Sequence, residues 1–150
     1  LGHATQLNGL ALAPHDRVVV TAGEDGHVRM YDLDRTPPAS PVAAWQAARG
    51  GLASVAIDPS GLQLATAAHS GCVKVWDLRG GRESTTCTAQ LLAHLPKGGE
   101  GANAVAFARA GALSSGLPLL ASGGADGAVP CAKPQVSACD SSCRAVGQTG

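Results

Sequence analysis

Thirteen residues, Thr21 to Leu33 (TAGEDGHVRMYDL), return at Thr66 to Leu78 as TAAHSGCVKVWDL. A third copy opens at Ser122 as SGGADGAV and breaks at Pro130. A segment repeated in phase marks one structural unit used several times, so it limits the fold before any other feature does. Each complete copy reads strand, tight turn, strand. Asp25-Gly26 is a strong hairpin signal, because a type I′ turn needs residues that tolerate positive φ. Ser70-Gly71 and Asp126-Gly127 hold the same place. In the strand after the turn, Val28 and Met30 share one face and Arg29 and Tyr31 the other, as do Val73 with Val75 and Lys74 with Trp76.

Two further strands precede each hairpin turn. Asn8 to Ala13, Ser54 to Asp58 and Asn103 to Ala108 align so that Leu10, Val55 and Val105 coincide, as do Leu12, Ile57 and Phe107. Turns with Pro14 and with Pro59 and Gly61 lead to Arg17–Ala22 and Gln63–Ala67, matched by Leu119–Ser122; β-branched residues favour the extended state there. A fourth, weaker strand closes each unit at Val42–Gln46 and Thr85–Leu92, the first after a Pro-rich connector that cannot pair regularly. The spacing is 45 residues from Thr21 to Thr66 and 56 from Thr66 to Ser122, and the surplus lies in connections. The expectation is an all-β fold. Blade one spans about 3–47, blade two about 50–93 and a partial blade three about 94–129, with 130–150 an off-pattern, disordered tail.

Composition narrows the function. Eleven Lys plus Arg balance eleven Asp plus Glu, so no net field draws the chain to nucleic acid or an anionic membrane. Five cysteines, Cys72, Cys87, Cys131, Cys139 and Cys143, form no disulfide framework, which points to a reducing intracellular compartment, cytoplasm or nucleus. No signal peptide and no membrane-length apolar run is visible. The sequence opens on Leu1, mid-pattern, and reads as a fragment. The tail cysteines lack a CxxC pair and a nearby fourth ligand, so no metal is expected. The glycines of 97–101 lack the Gly-Lys-Ser/Thr ending of a phosphate loop, and no Gly-x-Ser-x-Gly elbow occurs, so neither cofactor nor catalysis is expected. The short Arg-Gly clusters at 49–51 and 79–82 have no aromatic interleaving and read as connectors rather than RNA contacts.

These residues resemble the WD40, or β-transducin-like, repeat family. Gly2-His3 looks like the family's Gly-His, Trp76-Asp77 its Trp-Asp and Tyr31-Asp32 a common variant, over roughly residues 1–129. The resemblance implies a partial β-propeller and, within each blade, a hydrogen-bonded set of His, Ser or Thr, Asp and Trp. Carried over by position, the sets are His3, Thr21, Asp25 and Tyr31; Thr66 and Trp76; and His94, Ser122 and Asp126. Blade two carries Ser70 at the Asp place and Trp45-Gln46-Ala47 where a His is expected, and blade three has Ala132 at the Trp place. These sets are expected to hold the fold, since a buried Asp persists only when paired. The resemblance also implies a non-catalytic scaffold for other proteins, with candidate contacts at His15, Asp16, Glu24, His27, Arg35, His69 and Arg79 on turns and strand ends.

Two alternatives accompany it. Trp76-Asp77-Leu78-Arg79 resembles the Trp-Asp-x-Arg box by which some family members dock onto a cullin-RING ubiquitin ligase, which would make the chain a substrate receptor or an accessory part of a larger enzyme. The break at Pro130 instead fits a truncated, nonfunctional product. Two and a half blades leave an apolar face and a strand edge open, so the isolated chain is expected to be unstable or aggregation-prone.

Overall fold

The computed structural model describes residues 2–14, 17–35, 40–80, 85–95, 101–108 and 119–132. Among them every regular element is a β-strand. The first sheet holds β1 (Leu7–Leu12), β2 (Val18–Gly23), β3 (His27–Asp32) and β4 (Ala43–Gln46), in that spatial order and antiparallel throughout. The second holds β5 (Leu52–Ile57), β6 (Gln63–Ala68), β7 (Cys72–Asp77) and β8 (Thr86–Leu92) in the same order. The third pairs β9 (Ala102–Phe107), β10 (Leu120–Gly124) and β11 (Cys131–Ala132).

The register repeats from sheet to sheet. Leu10 faces Thr21, Val55 faces Thr66 and Val105 faces Ser122. The repeating turns are not the expected type I′: among the described residues only glycines take positive φ, so Asp25, Ser70 and Asp126 do not, and the shape rests on Gly26, Gly71 and Gly127 at φ +74°, +86° and +78°, which suit a residue without a Cβ. In the turn before β6, Gly61 takes φ +74°. Asp58, buried beside it, accepts hydrogen bonds from the Ser60 hydroxyl and the Gln63 N–H, so its charge is not left bare.

Strand alternation decides how the sheets stack. Val18, Val20, Ala22, Val28 and Met30 of the first sheet meet Leu52, Leu64, Ala68 and Trp76 of the second in one core. The other face of the second sheet sends Ala65, Ala67, Val73 and Val75 against Ala102, Val105 and Leu120 of the third. The second sheet is thus covered on both faces. Each full burial of a Leu or Val contributes roughly 1.5–3 kcal/mol, so the middle sheet carries most of the hydrophobic stabilisation. The first strand of each sheet lies beside its counterpart, β1 against β5 and β5 against β9. Leu10 and Leu12 on β1 stay 58% and 62% exposed, an apolar face that no described residue covers.

The third sheet departs from expectation at Pro130. Pairing was expected to stop there, yet Leu120 pairs with Ala132 and Ala121 with Cys131. Proline lacks only the N–H; its carbonyl accepts from the Ser122 N–H at 3.1 Å, so the ladder survives where an acceptor is all that is required. The remainder of the expected tail, residues 133–150, lies outside the described residues, as do residues 36–39 of the Pro-rich connector at 36–41. Among the described residues, no helix is long and apolar enough to cross a membrane.

Candidate functional site

In the first sheet, His3 precedes β1 and reaches over the β2–β3 turn. Its Nδ1 lies 2.9 Å from Asp25 Oδ1 and its Nε2 2.8 Å from Thr21 Oγ1. An ionised carboxylate only accepts, so Nδ1–H donates to Asp25. Asp25 also accepts from the His27 N–H at 3.1 Å and from Arg29 at 2.8 Å. Burial alone would raise the Asp25 carboxyl; the bonds from His3, Arg29 and His27 outweigh it and hold it well below the usual carboxylate range. Tyr31 stands half-buried on the same face, at the place that Trp76 takes in the second sheet.

The third sheet repeats the clasp. His94 Nδ1 lies 2.9 Å from Asp126 Oδ1 and Nε2 2.9 Å from Ser122 Oγ. Asp126 further accepts from the N–H groups of Ala128 and Leu95. The His94 bond, then the Ala128 N–H, hold its carboxyl down at about 2. Serine, histidine and aspartate here have the connectivity of a nucleophilic triad. His94 is only 1% exposed and Ser122 7%, so the hydroxyl does not face a space a substrate enters.

Each imidazole lies on a glycine. A methyl group built on Gly23 would collide with the His3 ring, and one on Gly124 with the His94 ring. The second sheet lacks a histidine and an aspartate at the two clasp positions, and at the place of the supporting glycine it carries Ala68. The residue at the histidine position is Ala48, one beyond the expected Trp45–Ala47. Its N–H donates to the Gly26 carbonyl just as the His94 N–H donates to that of Gly71. The 45-residue period carried forward from His3 lands on Ala48, so the signal was present in the sequence. What remains of the set is one bond, from Trp76 Nε1–H to Thr66 Oγ1 at 3.1 Å. The Trp76 ring is 7% exposed and meets Trp45 at 5.7 Å between centroids.

The expected contact residues divide between two ends of the sheets. Glu24 and His69 occupy the turns before β3 and β7 and bridge two sheets: His69 Nε2 lies 3.1 Å from Glu24 Oε2. Asn8 donates to the same Glu24 oxygen at 2.8 Å and to the Leu52 carbonyl at 2.9 Å. These residues line a concavity of about 650 Å³ with Gln6, Gly51, Ala53 and Asn103. Sequence reasoning passed over Gln6, Asn8 and Asn103. Asn8 and Asn103 hold equivalent places in β1 and β9, and only the stacking of sheets brings them to one mouth. His27 begins β3 on the same end, its Nδ1 2.9 Å from the Asp25 carbonyl. Arg35 and Arg79 trail β3 and β7 at the opposite end, each beside an aspartate, Asp32 and Asp77. His15 and Asp16 lie outside the described residues.

Among the described residues, no group of three or more His, Cys, Asp or Glu side chains is placed to hold a metal ion; Cys139 and Cys143 fall outside them. Four-stranded antiparallel sheets repeated in register and stacked with their first strands adjacent define a protein of the propeller class, here unclosed. The family model described as "WD domain, G-beta repeat" matches residues 1–32 and 39–77. The chain belongs to the WD40 repeat family. Over 125 residues, 83% of the chain, it is 29% identical to a striatin homolog of Dictyostelium discoideum. It is 35% identical over 75 residues, half of the chain, to the target of rapamycin complex subunit LST8 of Saccharomyces cerevisiae. Human striatin is 32% identical over 102 residues, 68% of the chain. The chain spans 14%, 24% and 12% of the lengths of these three relatives.

Proposed function

We propose that the chain is part of a WD-repeat propeller that serves as a non-catalytic scaffold, binding other proteins through the end of the sheets where Asn8, Glu24, His69 and Asn103 converge. The observation that carries this reading is the contrast between two kinds of polar cluster. The His3 and His94 clusters are closed, with their side chains spent on one another and on turn amides. The Glu24–His69 mouth is open, concave and lined by amides and a carboxylate on a rigid frame, the kind of place where binding residues concentrate. One relative is, by its name, a subunit of a complex, which agrees with an assembly role.

The blade boundaries at about 3–47, 50–93 and 94–129 are part of this proposal, as is the fold-holding role of the buried sets. An intracellular setting, cytoplasm or nucleus, agrees with the absence of a disulfide among the described cysteines Cys72, Cys87 and Cys131. The test is capture of partners by the protein and by two variants. Glu24→Lys with Asn103→Lys is expected to lose the captured protein. Arg35→Glu with Arg79→Glu, at the opposite end, is expected to keep it. Equal capture by both variants would remove the mouth from the proposal, and loss only in the arginine variant would transfer the role to the other end.

A further inference from the structure

Where the first and third sheets seat a carboxylate and an imidazole, the second has a cavity. It measures about 290 Å³ and is lined by Ala48, Arg49, Thr66, Ala68, Ser70 and Lys74, among others. Ala48 and Ser70 stand at the histidine and aspartate positions, and both are too short to fill them. The Ala68 methyl takes up part of the space that an imidazole would need. The cation, however, is kept. Arg29 of the first sheet binds Asp25 Oδ2 at 2.8 Å, and Lys74 holds the same position in the second.

Lys74 has no such partner. Its Nζ donates to the Ala47 carbonyl at 2.7 Å and lies 5.7 Å from the centre of the Trp76 ring, and no carboxylate among the described residues pairs with it. Arg49 adds a second positive charge to the rim, the hydroxyls of Ser70 and Thr66 supply polar lining, and among the described residues no acidic side chain lines the cavity. In both sister sheets the carboxylate at this place accepts the N–H two residues further on, from His27 and from Ala128; Cys72 holds that position here and lines the cavity.

We infer that this cavity is a binding site for a small aliphatic carboxylate, which takes the place of the missing aspartate between Lys74 and the β6–β7 turn. The site needs a carboxylate rather than any anion: in the sister sheets a planar, two-oxygen group meets an imidazole and the turn amide at once, and in the first sheet a cation as well. The inference is independent of protein docking at the Glu24–His69 mouth, which lies on other residues.

The experiment is titration of the protein with succinate at constant ionic strength, followed by the fluorescence of the Trp45–Trp76 pair and by the thermal midpoint. Saturable binding with an upward shift of the midpoint is expected. Lys74→Gln removes a charge-assisted bond and is expected to weaken binding about tenfold or more. Ser70→Asp places a carboxylate where Asp25 and Asp126 have theirs; it is expected to raise the midpoint without ligand and to abolish the response to succinate. Because an aspartate suits this turn, that variant keeps the test valid even if Lys74→Gln fails to fold. A response that chloride or inorganic phosphate reproduces at equal ionic strength, or one that survives in Ser70→Asp, would overturn the inference.

Discussion

The first three strands of the first and second sheets share length, order and register, yet the two sheets secure their turns differently. The first clips its turn with a charged network of His3, Asp25, Thr21 and Arg29 around Gly23. The second dispenses with the clip and relies on burial of both faces, with Trp76 seated between sheets and tied to Thr66. The changes are concerted: histidine to Ala48, aspartate to Ser70 and the supporting glycine to Ala68.

That contrast is broken most severely at Trp76. Trp76→Ala removes the ring that joins the first two sheets and is expected to cost about 3–5 kcal/mol in denaturant unfolding. A cost below about 1 kcal/mol would mean that the indole is not an inter-sheet anchor. Next comes His94→Ala, which leaves Ser122 and Asp126 without their buried partner. About 1–3 kcal/mol is expected, measured the same way. The glycine positions sharpen the comparison further. Gly23→Ala forces a methyl against the His3 ring and should destabilise by about 1–3 kcal/mol, while Ala68→Gly in the second sheet should cost only about 0.5–1 kcal/mol. Equal effects at the two sites would remove the link between the glycine and the imidazole.

Acid separates the sheets in a smaller way. Asp25 and Asp126 both have folded-state values below the ordinary 3.8. Their contribution is therefore complete above that value and is lost as pH falls through the folded value, about 2 for Asp126. Amide exchange followed from pH 5 to pH 2 should show the turns at Gly26 and Gly127 loosening before the turn at Gly71, where Ser70 does not titrate. The least effect is expected from Arg17→Ala. Its pair with Asp34 is exposed on both sides, and unfolding should not distinguish the variant from the parent.

The repeat made much of this architecture readable. Hairpin glycines, strand faces and the equivalence of Leu10, Val55 and Val105 follow from local chemistry and phase, and the pairing of these three residues with Thr21, Thr66 and Ser122 has the same register in each sheet. Ala48 was misplaced by one residue because an absent side chain leaves no letter to align; only the period from His3 marks the spot. The mouth at Asn8, Glu24, His69 and Asn103 was half visible. Turn residues announce themselves, whereas asparagines at strand starts acquire a shared surface only when sheets stack. Pairing beyond Pro130 was missed because proline was weighed as a lost donor, although its position in the ladder calls for an acceptor.

Native-state hydrogen exchange tests the sandwiched middle sheet most directly. The amides of β6 and β7, from Leu64 to Ala67 and from Val73 to Trp76, are expected to exchange last, ahead in protection of β2 and β3 despite the charged clasp there. Faster exchange in β6 and β7 than in β2 and β3 would contradict the stacking of one sheet between two siblings.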